Sequence, residues 1–323
     1  MDQTTLEIFD VIIIGGGPAG LSASIYAVRK NLKVLLVTKD IGGQAALSGD
    51  IENYLGFTII TGADLATKFR DEVKRFEGQG IILAEGETVA EISGNEGNFV
   101  VKTESGKSFS GRTLIISSGR IPKMLGVPGE KEFLGKGVAN CATCDAPLFK
   151  GKDVAVVGGG NSALDAAFAL LKIANSVTIV NNSEDLKGDS VMMANVKNAS
   201  NVKILNNSEV LEILGDQAVG GLKIKDKQTG QEQTLIIAGV FVEIGWTPST
   251  SFDKVTIKNE KGEIIVNEYG KTSVDGIWAA GDVNSLWGEQ IVIAAGEGAK
   301  VALVVAEHLA KLPHQGTSNI HEG

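Results

Sequence analysis

Twice along this chain an apolar run of strand length empties into a glycine-rich turn and then into a helical pattern. The first copy is Phe9-Asp-Val-Ile-Ile-Ile14, then Gly15-Gly16-Gly17-Pro18-Ala19-Gly20, a helical pattern through Ala27 and a second apolar run at Lys33–Val37. The second is Asp153-Val-Ala-Val-Val157, then Gly158-Gly159-Gly160-Asn161-Ser162-Ala163, a helix through Leu171 and the run Val177–Val180. Strand, G-x-G-x-x-G/A, helix, strand is the context that a dinucleotide fingerprint needs. Gly15 permits the tight turn, Gly17 lets backbone approach a pyrophosphate, and Gly20 packs helix on sheet. Ala163 takes that third place in the second copy. In each, the helix N-terminus faces the phosphates. Two such units predict an α/β fold with two Rossmann-like dinucleotide-binding domains, and two dinucleotides.

The only two cysteines, Cys141 and Cys144, stand just before the second unit, with Asp145 next in line. The Cys-x-x-Cys spacing leaves three readings open. A structural disulfide closing so short a loop removes about 2 kcal/mol of chain entropy, a small gain for a chain long enough to build its own core. Half of a zinc site would need two more ligands. The histidines are only His308, His314 and His321, and no second cysteine pair exists, so no metal is expected. A redox dithiol needs a lowered thiol pKa and a neighbouring proton acceptor, and Asp145 is a candidate acid/base. The redox reading fits a neighbouring dinucleotide unit best.

At 323 residues the chain suggests two domains, and 43% hydrophobic residues suffice for well-filled cores. A net charge of −9 argues against nucleic acid or an anionic membrane as main partner. The chain opens on polar and acidic residues rather than a secretory leader, and no apolar span reaches membrane length. A cytoplasmic protein is expected, where a lone dithiol is more often catalytic than structural.

Between the fingerprints, Ile41-Gly42-Gly43-Gln44 suggests backbone packed against a flat ligand, and Asp64–Phe76 reads as an amphipathic helix with Leu65, Phe69, Val73 and Phe76 on one face. Residues 80–116 read as a small β meander with turns at Gly94-Asn95 and Ser105-Gly106, closing in a buried strand at Leu114–Ile116. Beyond the second unit, Leu235–Ile244 reads as one strand. Gly276–Ala280 is another, ending in Gly281 and Asp282, where a carboxylate could hold a flavin's ribityl chain or phosphate. Gln290–Ala310 reads as a long helix, and the polar tail from Pro313 as disordered. One domain is then expected over 1–117 and 247–323, with 118–246 inserted. Gly119 and Gly245 at the crossings suit a two-stranded hinge.

Together these motifs resemble the low-molecular-weight thioredoxin reductases and the related reductase portion of the alkyl hydroperoxide reductase flavoprotein. The likeness runs from about Phe9 to Leu309 and rests on GGGPAG (15–20), IGGQ (41–44), IENY (51–54), VPGE (127–130), CATCD with Phe149 and VAVVGGGNSA, GIWAAGD (276–282) and QIVIAAGEGA (290–299). It implies a three-layer ββα form for both domains, a homodimer, and FAD at the first fingerprint. Carried over, FAD falls on Gly15, Gly17, Pro18, Ala19 and Gly20, and on Thr38 and Lys39 where the second strand ends. It also falls on Gly42, Gly43, Gln44 and Asn53, on Val89, Ser118 and Gly119, and on Gly281, Asp282, Gln290 and Ile291. The resemblance makes Cys144 the thiol facing the flavin, Cys141 the nucleophile on a partner's disulfide, and Asp145 their acid/base. With no thioredoxin-like segment ahead of the first fingerprint, a stand-alone reductase is expected. Its protein partner would be thioredoxin- or glutaredoxin-like.

Three positions depart from the family pattern. A nicotinamide nucleotide would meet Gly158, Gly160, Asn161, Ser162, Ala163 and Asn181. NADPH-using members continue with arginines that grip the 2′-phosphate, where this chain has Asn181-Asn182-Ser183-Glu184-Asp185. The two acids would repel that phosphate, so NADPH is disfavoured. NADH remains possible with Asn181 on the ribose, as does a non-nicotinamide donor such as ferredoxin. Glu289 replaces a basic residue usual before Gln290, removing a positive partner near the flavin or nucleotide, and Ala146 replaces a glycine after Asp145. Alternative readings are a flavin oxidase with a vestigial dithiol, and a non-catalytic flavin-binding sensor.

Overall fold

The computed structural model describes residues 7–48 and 50–312, without the side chains of Asp50, Thr143 and Cys144; the tail expected to be disordered lies outside the described residues. Two compact units emerge. One comprises the chain up to Arg120 and from Pro248 onward, the other Ile121–Thr247. By this division Ser118, Gly119 and Arg120 go with the first unit and Thr247 with the second, against the expected bounds of 118 and 246.

In chain order the first unit opens with β1 (Ile8–Gly16), α1 (Pro18–Val28) and β2 (Val34–Ile41), followed by α2 (Gly62–Lys74). Val11, Ile12 and Ile13 are wholly buried, as an unbroken apolar run requires when both faces of a parallel sheet are covered. α2 is the expected amphipathic helix, with Leu65 and Val73 buried and Thr61 capping it by accepting the Asp64 amide at 3.1 Å. Then come β3 (Ile81–Glu85), β4 (Val89–Asn95), β5 (Asn98–Thr103) and β6 (Ser108–Ile116).

The meander expected over 80–116 is only partly one. β4, β5 and β6 pair antiparallel, but β3 joins β2 in parallel, and β6 runs on beside β1. β6 therefore pairs in both senses, its apolar C-terminal half meeting the parallel core. The β4–β5 turn lies at 96–97, two residues past the expected Gly94-Asn95.

The second unit holds a four-residue helix α3 (Ala142–Asp145), then β7 (Asp153–Val157), α4 (Asn161–Leu171), β8 (Ser176–Val180), α5 (Ser190–Lys197) and β9 (Val202–Leu205). β10 (Ser208–Gly215), β11 (Val219–Asp226), β12 (Glu232–Ile236) and β13 (Gly239–Val242) complete it. β13, β7, β8 and β9 form a parallel sheet in that order, with Val138–Ala139 at its edge, and β10–β11–β12 an antiparallel sheet. The single strand expected over 235–244 is corrected here. Its first residues belong to β12 in the antiparallel sheet, and from Gly239 the chain enters β13 in the parallel one. A Cβ at Gly239 would lie 2.3 Å from the Phe149 ring, so this strand's entry is where that side chain is seated.

The chain returns through β14 (Ile277–Ala279), which adds in parallel to β6, and ends in α6 (Ile291–Lys311). α6 lies on α1 so closely that a Cβ at Gly298 would stand 2.0 Å from the Ala19 carbonyl oxygen. At the crossings, Arg120–Pro122 and Trp246–Pro248 pair as a two-stranded ribbon, and Gly119 and Gly245 both adopt positive φ.

Candidate functional site

In the first unit the glycine turn is built as a cradle at the N-terminus of α1. Gly15 has φ +109° and presses on Ser117, whose carbonyl oxygen a Cβ would approach to 2.4 Å. Gly20 lies against the Gly15 carbonyl, leaving 1.9 Å for a Cβ, so both positions hold only glycine. Gly17 differs. It is the N-cap of α1, carries no capping side chain, and has nothing within 4 Å of where its Cβ would be. Pro18 starts the helix, and no capping or acidic side chain of the first turn takes up the N–H groups there, a terminus of the kind that binds anions.

Two more glycine segments converge on that turn. Gly42 (φ +103°) and Gly43 (φ +54°) lead into a short 3-10 turn, and a Cβ on Gly43 would come 3.1 Å from the Gly17 Cα. Gly281 (φ +77°) leaves 2.9 Å to the Ala19 methyl. Backbone from three parts of the chain thus meets at the N-terminus of α1, where the space beside Gly17 forms a small hollow that a side chain there would enter.

The polar side chains assigned to this hollow are found in varied states. Thr38 does not end β2, which runs on to Ile41. It is buried, and its hydroxyl donates to the Asp40 carbonyl at 2.5 Å, while Lys39 is exposed. Gln44 Nε2 donates to the Arg120 carbonyl at 2.8 Å. Asn53 Nδ2 donates to Gln290 Oε1 at 3.0 Å, joining two of the expected flavin contacts to each other. Ser118 Oγ donates to the Ser249 carbonyl. Val89 lies buried in the core with Phe99 and Val101, and Ile291 packs on Ile51, Ile60 and Leu65. The Asp282 carboxyl accepts no hydrogen bond from the described residues. Its pKa is raised by burial and by Glu289, against the opposing pull of Arg120.

Arg120 was not anticipated from sequence, and it corrects the expectation that Glu289 leaves this region without a positive partner. Its Nε donates to the Asp282 carbonyl at 2.9 Å, and Nη2 stands 2.7 Å from both Glu263 Oε1 and Glu289 Oε1. The positive charge of this region therefore stands at position 120 and not at 289. No motif signals that pairing, because the partners lie far apart in the chain.

In the second unit Gly158 (φ +142°) leaves 2.2 Å to the Glu243 carbonyl oxygen, whereas Gly160, the N-cap of α4, has only the Lys187 carbonyl at 3.8 Å. Ala163 is buried, Ser162 half-buried, and Asn161 Oδ1 accepts the Asp189 amide at 2.8 Å. Asn181 is turned inward and is 2% exposed. Its Nδ2 donates to the Ser183 carbonyl and to Asn206 Oδ1, and its Oδ1 accepts the Ser183 amide. Both its donors are spent inside the protein, so the structure does not present Asn181 as a ribose donor. Lys227, from the β11–β12 turn, instead reaches the end of β8, with Nζ 3.0 Å from the Asn182 carbonyl.

Cys141 is disulfide-bonded. The one other cysteine, Cys144, has its side chain outside the described residues. Asp145 closes α3, its amide donating to the Cys141 carbonyl at 3.1 Å, and burial pushes its carboxyl pKa upward. Ala142, Ala146 and Phe149 share a core with Ala163, Leu164 and Phe241, the two phenylalanine rings meeting edge to face at 5.1 Å. The cysteine helix is therefore packed on the helix that opens at the second glycine turn. Among the described residues no helix could cross a membrane, and no cluster of three metal-ligating side chains occurs.

Residues 9–298 match the pyridine nucleotide-disulphide oxidoreductases. The chain belongs to that family. This oxidoreductase is 40% identical over 308 residues to a subunit of the alkyl hydroperoxide reductase of Pseudomonas putida, and 40% identical over 306 residues to the NADH dehydrogenase of Bacillus subtilis; each match covers 94% of the chain and 59% of the relative. The chain thus spans less than two thirds of those relatives' length. Among solved structures, the thioredoxin reductase of T. acidophilum superposes with a TM-score of 0.81 at 38% identity, covering 93% of this chain and 98% of that one. The family pairs FAD and a nicotinamide nucleotide with a disulfide, and the hollow at Gly17 fits a dinucleotide: open at the one glycine, closed at its neighbours, and uncapped at the helix terminus.

Proposed function

We propose that this oxidoreductase is an FAD-dependent dithiol–disulfide reductase whose electrons leave through Cys141 and Cys144 to a thioredoxin- or glutaredoxin-like protein. The observation that carries the reading is the oxidised Cys141 on a short helix packed against the second glycine turn, with a protonation-prone Asp145 at its end. FAD, when bound, would supply the electron pair that opens the disulfide. The Cys141 thiolate then attacks one sulfur of the partner's disulfide and expels the other as a thiolate, which takes a proton from Asp145. The Cys144 thiolate next attacks Cys141 in the mixed disulfide, which re-forms the enzyme's disulfide and expels the partner's second sulfur as a thiolate that takes its proton from water. Backbone N–H groups of Gly17, Ala19 and Gly20 and of Gly160–Ala163 would hold the two pyrophosphates. Proposed domain roles follow, with the discontinuous unit holding FAD and the inserted one the dithiol and the nucleotide. Both of those lie on one unit, so they would use the flavin in turn, by a rotation at the Gly119 and Gly245 crossings. A cytoplasmic homodimer completes the reading.

NADH is the favoured nicotinamide donor, since Glu184 and Asp185 oppose a 2′-phosphate. The inward-turned Asn181 supports a second reading, in which the donor is not a nicotinamide and a protein such as ferredoxin takes its place. Anaerobic stopped-flow absorbance separates them. Rapid flavin bleaching by NADH, and not NADPH, supports the first. No bleaching by either, with bleaching by reduced ferredoxin, supports the second. A Cys141→Ser protein that keeps its flavin yet still reduces the partner fully would refute the dithiol route.

A further inference from the structure

Arg120 is the cation of a carboxylate-rich cluster in the first unit. Its side chain is 15% exposed and serves three acceptors in two segments, the Glu263 carboxylate on one side and the Asp282 carbonyl and Glu289 carboxylate on the other. Its own carbonyl accepts from Gln44. Glu263 is 8% exposed and is anchored by Asn259 Nδ2 at 2.6 Å, so this side of the cluster cannot swing away. Glu297, whose Oε2 accepts the Gly281 amide and Asn284 Nδ2, adds a further carboxylate beside Asp282.

Of the segments that Arg120 joins, one carries Gln44, bonded to its carbonyl, and another carries Asp282 and, next to Glu289, Gln290. These side chains are assigned to the flavin in the proposed function, on which this inference rests. We infer that Arg120 is a positioning residue for the flavin. It draws the 282–289 segment against the crossing and supplies there the positive charge that position 289 lacks. Without it, Asp282, Glu263, Glu289 and Glu297 would face one another unneutralised beside a ligand that is itself an anion, so both holding the cofactor and adding electrons to it would be disfavoured.

The proteins to compare are wild type, Arg120→Ala, Arg120→Lys and the double variant Arg120→Ala with Glu289→Arg. Two quantities are read: the FAD dissociation constant, by titrating flavin-stripped protein, and the flavin midpoint potential. Arg120→Ala is expected to weaken FAD binding about tenfold or more, as loss of one partner of a partly buried ion network does, and to move the potential to more negative values. Arg120→Lys keeps the charge and loses less. The double variant, with a cation restored from the other side, recovers most of both. A purely structural tie at Arg120 would show no such recovery. Wild-type affinity and potential in Arg120→Ala, or a folded double variant no better than Arg120→Ala, overturns the inference. If wild-type protein binds no FAD, the flavoenzyme reading fails and this one with it. Equal binding by wild type and Arg120→Ala sinks only the role of Arg120.

Discussion

Replacing Glu243 by glutamine should stabilise this protein at neutral pH, and the gain should grow with pH. Glu243 follows β13, and its backbone frames the second glycine turn, the amide donating to the Val157 carbonyl at 2.8 Å and the carbonyl facing Gly158. Its side chain is half-buried. Burial first, and then the field of Asp165 on α4, push its pKa from 4.5 up to about 7. A carboxyl whose pKa is raised by folding holds its proton more tightly in the native state. Stability from this group is therefore fully present below pH 4.5 and is lost as pH rises to about 7. With one pKa unit worth about 1.4 kcal/mol, the penalty is about 0.2 kcal/mol at pH 4, about 2 at pH 6 and about 3 at pH 8. Glutamine keeps the shape and never ionises. Urea unfolding of wild type and Glu243→Gln, followed by circular dichroism across pH 4–8, should show a difference that follows that curve. A difference that is constant with pH, or that shrinks as pH rises, would refute the reasoning. The functional corollary is that Glu243 is only about half ionised at pH 7, and so adds less negative charge beside the second glycine turn than an ordinary glutamate would.

Three further outcomes follow from the same geometry. Gly17→Ala should fold within about 0.5 kcal/mol of wild type yet purify with little flavin, whereas Gly20→Ala should cost about 3 kcal/mol because its methyl would meet the Gly15 carbonyl; thermal melts and the flavin absorbance ratio check both. Asn181→Asp, which by sequence logic would install an acid on the ribose, should instead destabilise by about 2 kcal/mol, setting a carboxylate against the Ser183 carbonyl and Asn206 Oδ1. NADH titration should show no tighter binding. Thr61→Ala should remove the cap of α2 and cost about 1 kcal/mol in chemical denaturation, leaving the flavin spectrum unchanged.

Local chemistry made much of this protein readable from its residues alone. Strand, glycine turn and helix are set by neighbours in the chain: apolar runs buried on two faces, glycines where a Cβ has no room, an open glycine where a ligand comes near. Gly15, Gly17, Gly20, Gly158 and Gly160 could therefore be placed before any coordinates, as could the amphipathic face of α2 and the long α6. What failed was whatever depended on distant partners. The run 235–244 reads as one strand but is divided between two sheets, and Phe149, 90 residues earlier in the chain, is seated where its second part begins at Gly239. Asn181 offered the right functional group at the right position, and Asn206 and Ser183 had already claimed it. Arg120 and Glu289 lie 169 positions apart in sequence, and only folding brings their charges within 2.7 Å. Sequence periodicity reports the solvent and the nearest turns of chain. Which hydrogen-bonding groups are left free, and which charges are left unpaired, is decided by tertiary contacts that no local pattern records.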